Sequence, residues 1–156
     1  MAKRKFKVKP FKDWLDDLAK VCVKTRDNFT CQFGREGCAG RMIPFDKNCQ
    51  WCHIQSRKSN NWRWFGFNAL TGCGHCHAWA HDKPTEFGFW FAENYPIRNV
   101  FLCFPLSNHP WREPDFRDIE ARLMKTAVIL KVDYMNFPQR FRGRFKAKYE
   151  DLKNGH

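Results

Sequence analysis

Apolar residues Phe11, Trp14, Leu15, Leu18, Val21 and Cys22 recur at helical spacing near the start of the chain and predict a helix over 11–24. Asp13, Asp16 and Asp17 fall near its beginning, where the helix dipole favours negative charge. Over 26–72 the period is lost and Gly, Asn, Asp and Pro become frequent; short strands fit 50–54 and 67–70. A helix can begin at Cys76 and run to His81, after which Asp82 and Pro84 predict a break and a new helix start. Phe87, Trp90 and Phe91 lie on one side of that next helix, which ends before Pro96. Residues 97–114 carry three prolines and read as a loop or covering strap. A further helix over 115–132 places Ile119, Leu123, Thr126 and Leu130 along one stripe. The pattern divides the chain into a basic arm with an N-terminal helix (1–24), a central region (25–95) and a helical, basic C-terminal extension (96–156). No internal repeat or low-complexity tract is visible.

Composition narrows the class. The chain has 156 residues, 43% of them hydrophobic and 17% aromatic, enough for a real core and too apolar for disorder throughout. No apolar run approaches the roughly 18 residues of a membrane span. Met-Ala-Lys-Arg-Lys has the charge of a signal peptide without an apolar stretch behind it, so a soluble intracellular protein is expected. Lys and Arg number 28 against 16 Asp and Glu, a net charge of +12. Such an excess is ordinarily kept for a polyanion, which makes nucleic acid the expected partner and salt the expected antagonist. The basic arm up to Pro10 and the basic, aromatic stretch from Pro138, with Arg140, Arg142 and Arg144, are expected to add backbone contacts.

Eight cysteines in a chain of this kind point to metal rather than disulfides, and six of them lie between Cys31 and Cys76. Cys22 and Cys103 stand apart and read as small buried apolar residues. Cys73-Gly74-His75-Cys76 is a tight turn able to give zinc two soft ligands. Its partner pair is either Cys31 and Cys38, around a Gly-rich loop, or the more closely spaced Cys49 and Cys52. Cys31 and Cys38 are favoured because Cys52 directly precedes His53. A structural zinc on Cys31, Cys38, Cys73 and Cys76 would tie together loops that a hydrophobic core cannot hold.

His53 ends a predicted strand in Cys-His-Ile-Gln-Ser-Arg, Asn68 follows in Phe-Gly-Phe-Asn-Ala-Leu, and His77 and His81 stand four apart. Four apart on a helix puts both imidazoles on one face, within reach of a single ion. Phosphodiester hydrolysis needs these parts: a base for water and a cation beside the scissile phosphate. The order of residues from Thr25 to Trp90 resembles the HNH (ββα-metal, His-Me finger) endonuclease motif of phage proteins. It includes the lead-in Thr-Arg-Asp-Asn-Phe-Thr-Cys and the string from Arg63 through His77. The flanking helical, basic parts are similar to phage recombination nucleases of the NinG/Rap type.

The resemblance implies an α+β fold, a small zinc-organised ββα-metal core flanked by N- and C-terminal helices. It implies His53 as general base, Asn68 as the residue fixing the hairpin loop, and His77 and His81 as ligands of a catalytic divalent metal (magnesium, manganese, nickel or zinc). Cys52 departs from the family, which often has Asp or His there; as a ligand it would favour a softer ion. Alternatively Cys52 serves the structural site. Arg57, Lys58, Arg63 and Trp62 surround the loop between His53 and Asn68 and are expected to hold DNA, arginine by clamping phosphate and indole by stacking. At least one of Trp62 and Trp64 is expected in the core instead. The resemblance further implies a phage-encoded protein in the cytoplasm of a bacterial host, acting on DNA, branched or structured, in recombination or DNA processing. A homodimer would suit two cuts on a branched molecule. The competing class is a non-catalytic zinc-containing nucleic-acid-binding module.

Overall fold

The computed structural model describes residues 8–43, 46–56, 58, 60–103 and 115–154, and the fold is α+β. The chain divides into two compact units, Val23–Pro114 and the combination of Met1–Cys22 with Asp115–His156. The first and last segments thus share one unit. Helix α1 (Val8–Arg26) gives its first part to one unit and its last turn to the other. It starts ahead of the predicted boundary, so Pro10 sits in the first turn, where a missing N–H is harmless. Asp13, Asp16 and Asp17 consequently lie beyond that first turn, and the expected dipole benefit does not apply. Asp17 is instead buried and ion-paired with Lys20 at 2.8 Å. The helix ends on Asn28 in the left-handed region (φ 50°), with Phe29 N–H donating to the Lys24 carbonyl at 2.8 Å, a Schellman closure.

The unit formed by 23–114 is built on an antiparallel hairpin of β1 (Gln50–His53) and β2 (Ala69–Gly72), paired Gln50 to Gly72 and His53 to Ala69. The second strand lies two residues later than its sequence pattern indicated, because Gly66–Asn68 forms a 3-10 turn. Between the strands sits the short helix α2 (Asn60–Arg63). After β2 come α3 (Gly74–Asp82), α4 (Pro84–Asn94) and α5 (Pro96–Cys103). Pro84 opens α4 at its first helical position, where its fixed φ suits the helix. Pro96 does the same for α5, which replaces the first part of the strap expected over 97–114; residues 104–114 lie outside the described residues. Cys103 is exposed on this helix rather than buried.

One face of the hairpin, with Cys52 and Leu70, turns to a core of Cys31, Phe33, Met42, Cys49, Phe87, Phe91 and Leu102. Phe33 stacks flat on Trp90, 5.0 Å between centroids, and Arg35 covers Trp79 at 3.7 Å. Gly72 is obligatory here. A Cβ on it would come within 2.5 Å of the Cys52 sulfur and 2.9 Å of the Phe33 ring.

In the other unit, α1 packs with α6 (Phe116–Ile129) and α7 (Gln139–Lys153). Trp14, Leu15 and Leu18 are fully buried, each stabilising by about 1.5–3 kcal/mol. Asp115 caps α6 by accepting from Arg117 and Asp118 N–H. The buried stripe of α6 is Ile119, Leu123, Met124 and Ala127; Thr126 is exposed, its hydroxyl donating to the Arg122 carbonyl at 2.9 Å. Phe137 and Phe145 stack at 4.3 Å beside Trp14.

Glu120 is buried at the centre of this unit. It accepts from Trp14 Nε1 at 2.6 Å and Arg144 Nη2 at 2.6 Å, with Lys148 Nζ at 3.3 Å. Burial alone would raise its pKa, but the bonds from Arg144 and Trp14 outweigh this and hold the carboxyl below its ordinary value. A depressed folded pKa gives stability that is full above the unfolded value near 4.5 and lost as pH falls through the folded one. Glu120→Ala is therefore expected to destabilise this unit by roughly 2–4 kcal/mol in denaturant melts, since two cations and an indole N–H lose their acceptor. The deficit should shrink as the wild type is acidified below about pH 4.5.

Candidate functional site

Four cysteine sulfurs, from Cys31, Cys38, Cys73 and Cys76, lie within 4.8 Å of one another. Thiolates about 2.3 Å from a tetrahedral zinc would be separated by about 3.8 Å, so the quartet can hold a metal such as zinc with small adjustments. All four are free thiols, and all but Cys38 are buried. The first pair comes from a turn rich in left-handed glycines. Gly37 (φ 73°) also approaches the His75 ring so closely that a Cβ would touch Nε2 at 3.4 Å. The second pair comes from the junction of β2 with α3. Cys73 N–H donates to Cys31 Sγ at 3.2 Å, stitching the two turns together. Burial raises Cys31 to about 11. It would also raise Cys73, but N–H donors from Ala39 and Cys76 and the neighbouring thiols prevail and lower it to about 7. Thiol donors backed by peptide N–H groups fit zinc, and this is the pairing favoured over Cys49 and Cys52.

Cys49 and Cys52 are buried beside this quartet but outside it. The buried Lys24 ammonium donates to the Cys49 carbonyl at 2.5 Å. Burial, with smaller contributions from Cys31 and Cys73, pushes the Cys52 thiol strongly upward. Cys52 faces the core under Gly72, and the structure does not bring it into a ligand set with His77 and His81. Strand alternation is the physical reason: Cys52 and His53 are neighbours in sequence and point to opposite faces.

His53 shares its face with Trp51, their rings 4.1 Å apart, and its Nε2 meets the Arg63 carbonyl at 3.2 Å. A carbonyl only accepts, so Nε2 carries the proton and Nδ1 keeps the lone pair. The loop that holds Arg63 is locked by Asn68, which is fully buried. Its Oδ1 accepts from Gln55 N–H at 2.7 Å; its Nδ2 donates to the carbonyls of Gln55 at 3.0 Å and Trp62 at 3.1 Å. Strand β2 is anchored by residues that sequence reasoning did not single out. Arg26 donates to the carbonyls of Gly66 (2.7 Å) and Ala69 (2.9 Å), and Arg98 to those of Phe67 (2.5 Å) and Ala69 (2.9 Å). Asp27 pairs with Arg26 and accepts from Thr71 N–H at 2.8 Å. The Arg-Asp step of the Cys31 lead-in was the available signal for two of these three.

On α3, His77 and His81 face each other with Nε2 atoms 3.0 Å apart. The Nδ1 of His77 is hydrogen-bonded to Oε1 of Gln50 on β1, another residue that sequence reasoning missed. Among the described residues, the cysteine quartet is the one set of three or more His, Cys, Asp or Glu side chains with converging ligand atoms. His77 and His81 are thus brought together as a pair.

The residues expected at DNA are differently placed. Lys58 is exposed, Arg63 lies half-buried with its guanidinium 5.4 Å from the Trp64 ring centroid, and Arg57 lies outside the described residues. Trp64 is in the core, while Trp62 is half-buried against Phe65 and Phe101. The C-terminal arginines make internal bonds. Arg144 binds Glu120, Arg142 donates to the carbonyls of Phe137 (3.0 Å) and Met135 (3.2 Å), and the mostly exposed Arg140 reaches Asp17 at 3.3 Å. Buried carboxylates in the same unit claim two of these cations, which sequence spacing could not reveal. No helix among the described residues is long and apolar enough to cross a membrane.

In comparisons with protein-family models, curated proteins and solved structures, the chain matches none.

The quartet makes a stoichiometric prediction. Native mass spectrometry of protein purified without chelator is expected to show a tightly held zinc that Cys38→Ser or Cys76→Ser removes, while Cys49→Ala or Cys52→Ala leaves it in place. Chelation should also lower the melting temperature of the wild type. Retention of that zinc by Cys76→Ser would exclude the quartet as its site.

Proposed function

We propose that the chain is a metal-dependent DNA endonuclease of the HNH kind, its active centre made by the β1–β2 hairpin and helix α3. The observation that carries the reading is the union of four side chains on one hairpin-and-helix frame. His53 ends β1, Asn68 locks the loop back to it, and the His77–His81 pair is tied to β1 through Gln50. Zinc on the cysteine quartet would fasten that helix to the loop carrying Cys31 and Cys38 and so fix the frame.

In this reading His53 is the general base: with its Nε2–H donated to the Arg63 carbonyl, Nδ1 is the nitrogen that carries the lone pair and takes the proton. Water attacks phosphorus as its proton passes to Nδ1, and the bond from phosphorus to the leaving oxygen breaks. Asn68 keeps the loop, and through it the His53 ring, in one orientation. His77 and His81, whose Nε2 atoms lie 3.0 Å apart, would hold a divalent cation between them. Such an ion supplies charge stabilisation to the phosphate and the departing oxygen. The +12 charge supports a polyanionic substrate, with Lys58 and the exposed lysines as contacts. A phage origin and a role in recombination or DNA processing on branched or structured DNA belong to the same proposal and rest on the motif resemblance.

A second reading, a non-catalytic zinc-containing nucleic-acid-binding module, is favoured by one observation. No third His, Cys, Asp or Glu among the described residues closes around the His77–His81 pair.

A cleavage panel separates the two. Purified protein with magnesium, manganese, nickel or zinc is expected to cut at least one of duplex, branched and single-stranded DNA. His53→Ala should lower the rate by about 10²–10⁴-fold while DNA affinity and melting temperature stay at wild-type values. Tight, salt-sensitive DNA binding with no cut in any combination would defeat the endonuclease and leave the binding module.

A further inference from the structure

The contact between Gln50 and His77 joins the strand that ends in His53 to the helix that carries the imidazole pair. Both ends of the Gln50 amide are engaged. Its Nε2 donates to the Lys47 carbonyl at 3.4 Å, which turns Oε1 toward His77 Nδ1. The backbone around this contact is shaped for it. Asn48 Oδ1 accepts from Gly74 N–H at 2.6 Å at the start of α3, and a Cβ on Gly74 would meet Asn48 Oδ1 at 3.0 Å and Gln50 Nε2 at 3.4 Å. An amide oxygen can only accept, so Nδ1 of His77 is the protonated nitrogen and Nε2 carries the lone pair. That lone pair points at Nε2 of His81, 3.0 Å away.

We infer that Gln50 is a positioning residue, fixing His77 as the Nδ1–H tautomer so that His77 and His81 form a two-imidazole chelate for a first-row transition ion. The inference rests on the proposed nuclease reading in that this ion is the one assigned there to the phosphate. The outer hydrogen bond of a metal-binding histidine holds ring orientation and raises ligand basicity, and its loss commonly costs 10–100-fold in affinity. The donor set also selects the ion. Imidazole nitrogen suits nickel, zinc and their neighbours, whereas magnesium takes oxygen ligands and gives up its waters reluctantly. With the Cys52 thiol facing the core, the preference rests on the two imidazoles alone.

The test uses the full chain with its structural zinc in place and nickel(II) alone as probe. Nitrogen-15 spectra of the metal-free imidazoles are expected to show His77 as the Nδ1–H form. Calorimetry should then show one nickel per chain, lost in His81→Ala, with magnesium at least 100-fold weaker. Gln50→Leu, similar in shape but without the acceptor, should weaken nickel roughly 10–100-fold. Gln50→Glu, which restores an acceptor, should return affinity to within a few-fold of wild type, and zinc content should be unchanged in both variants. An Nε2–H His77 in the wild type, unaltered nickel affinity in Gln50→Leu, or equal affinity for magnesium would each overturn the inference. The spectrum of the wild type decides even if Gln50→Leu fails to fold. Nickel binding that depends on Gln50 in a protein that cuts no DNA would uphold this inference and defeat the nuclease. Cleavage with Gln50-independent nickel binding would do the reverse.

Discussion

Two tight turns forty-two residues apart meet at four sulfurs, and the geometry of the unit spanning 23–114 follows from that meeting. Strands of four residues in a two-stranded sheet are too short to be stable alone, and the described residues between Arg26 and Gln50 form no helix or strand of their own. Cys31 and Cys38 belong to that stretch, while Cys73 and Cys76 bracket the passage from β2 into α3. Joining them restrains the loop, the hairpin and the helix at one point. An ion on this site would add binding free energy directly to folding. The Cys73 N–H bond to Cys31 Sγ shows the turns already arranged for such an occupant.

The hairpin is then stiffened from outside its own ladder. Three backbone carbonyls, those of Gly66, Phe67 and Ala69, and one N–H at Thr71 would otherwise face the weak edge of a small sheet. Arg26 and Arg98 cover carbonyls on this strand, and Asp27 takes the N–H, so side chains do what a third strand would do. Asn68 performs the same service for the connecting loop, with three hydrogen bonds from a fully buried amide. The result is a rigid platform for His53 made almost without regular structure.

What could be read in the sequence was the part governed by local period and by chelate spacing. The run from Phe11 to Cys22 declares a helix, Pro84 declares a helix start, and Cys-Gly-His-Cys declares a knuckle. Helix α5 was hidden because proline is read as a breaker, although at a first helical position Pro96 is a starter. The fates of Arg142 and Arg144 were hidden for a different reason. Their partners, the Phe137 carbonyl and the Glu120 carboxylate, are supplied by folding, and an exposed basic helix has the same sequence as one that pays inward. Gln50 carries no signal at all in a single sequence, since a glutamine on a short strand is ordinary until its partner is seen.

The two histidines held by acceptors differ in a way that matters for their proposed roles. The Arg63 carbonyl fixes the proton of His53 on Nε2, whereas the Gln50 amide fixes that of His77 on Nδ1. Identical side chains therefore present opposite ring nitrogens. An unprotonated Nδ1 lies close to the backbone and suits a proton acceptor whose ring must be held still. An unprotonated Nε2 lies at the tip of the ring and suits a ligand that must meet a second imidazole one helical turn away. Neither assignment needs a charged neighbour, because each is made by a neutral oxygen that can only accept. The division of labour between base and ligands, if the chain is the nuclease proposed, is thus written in two hydrogen bonds of the protein before any ion or phosphate arrives.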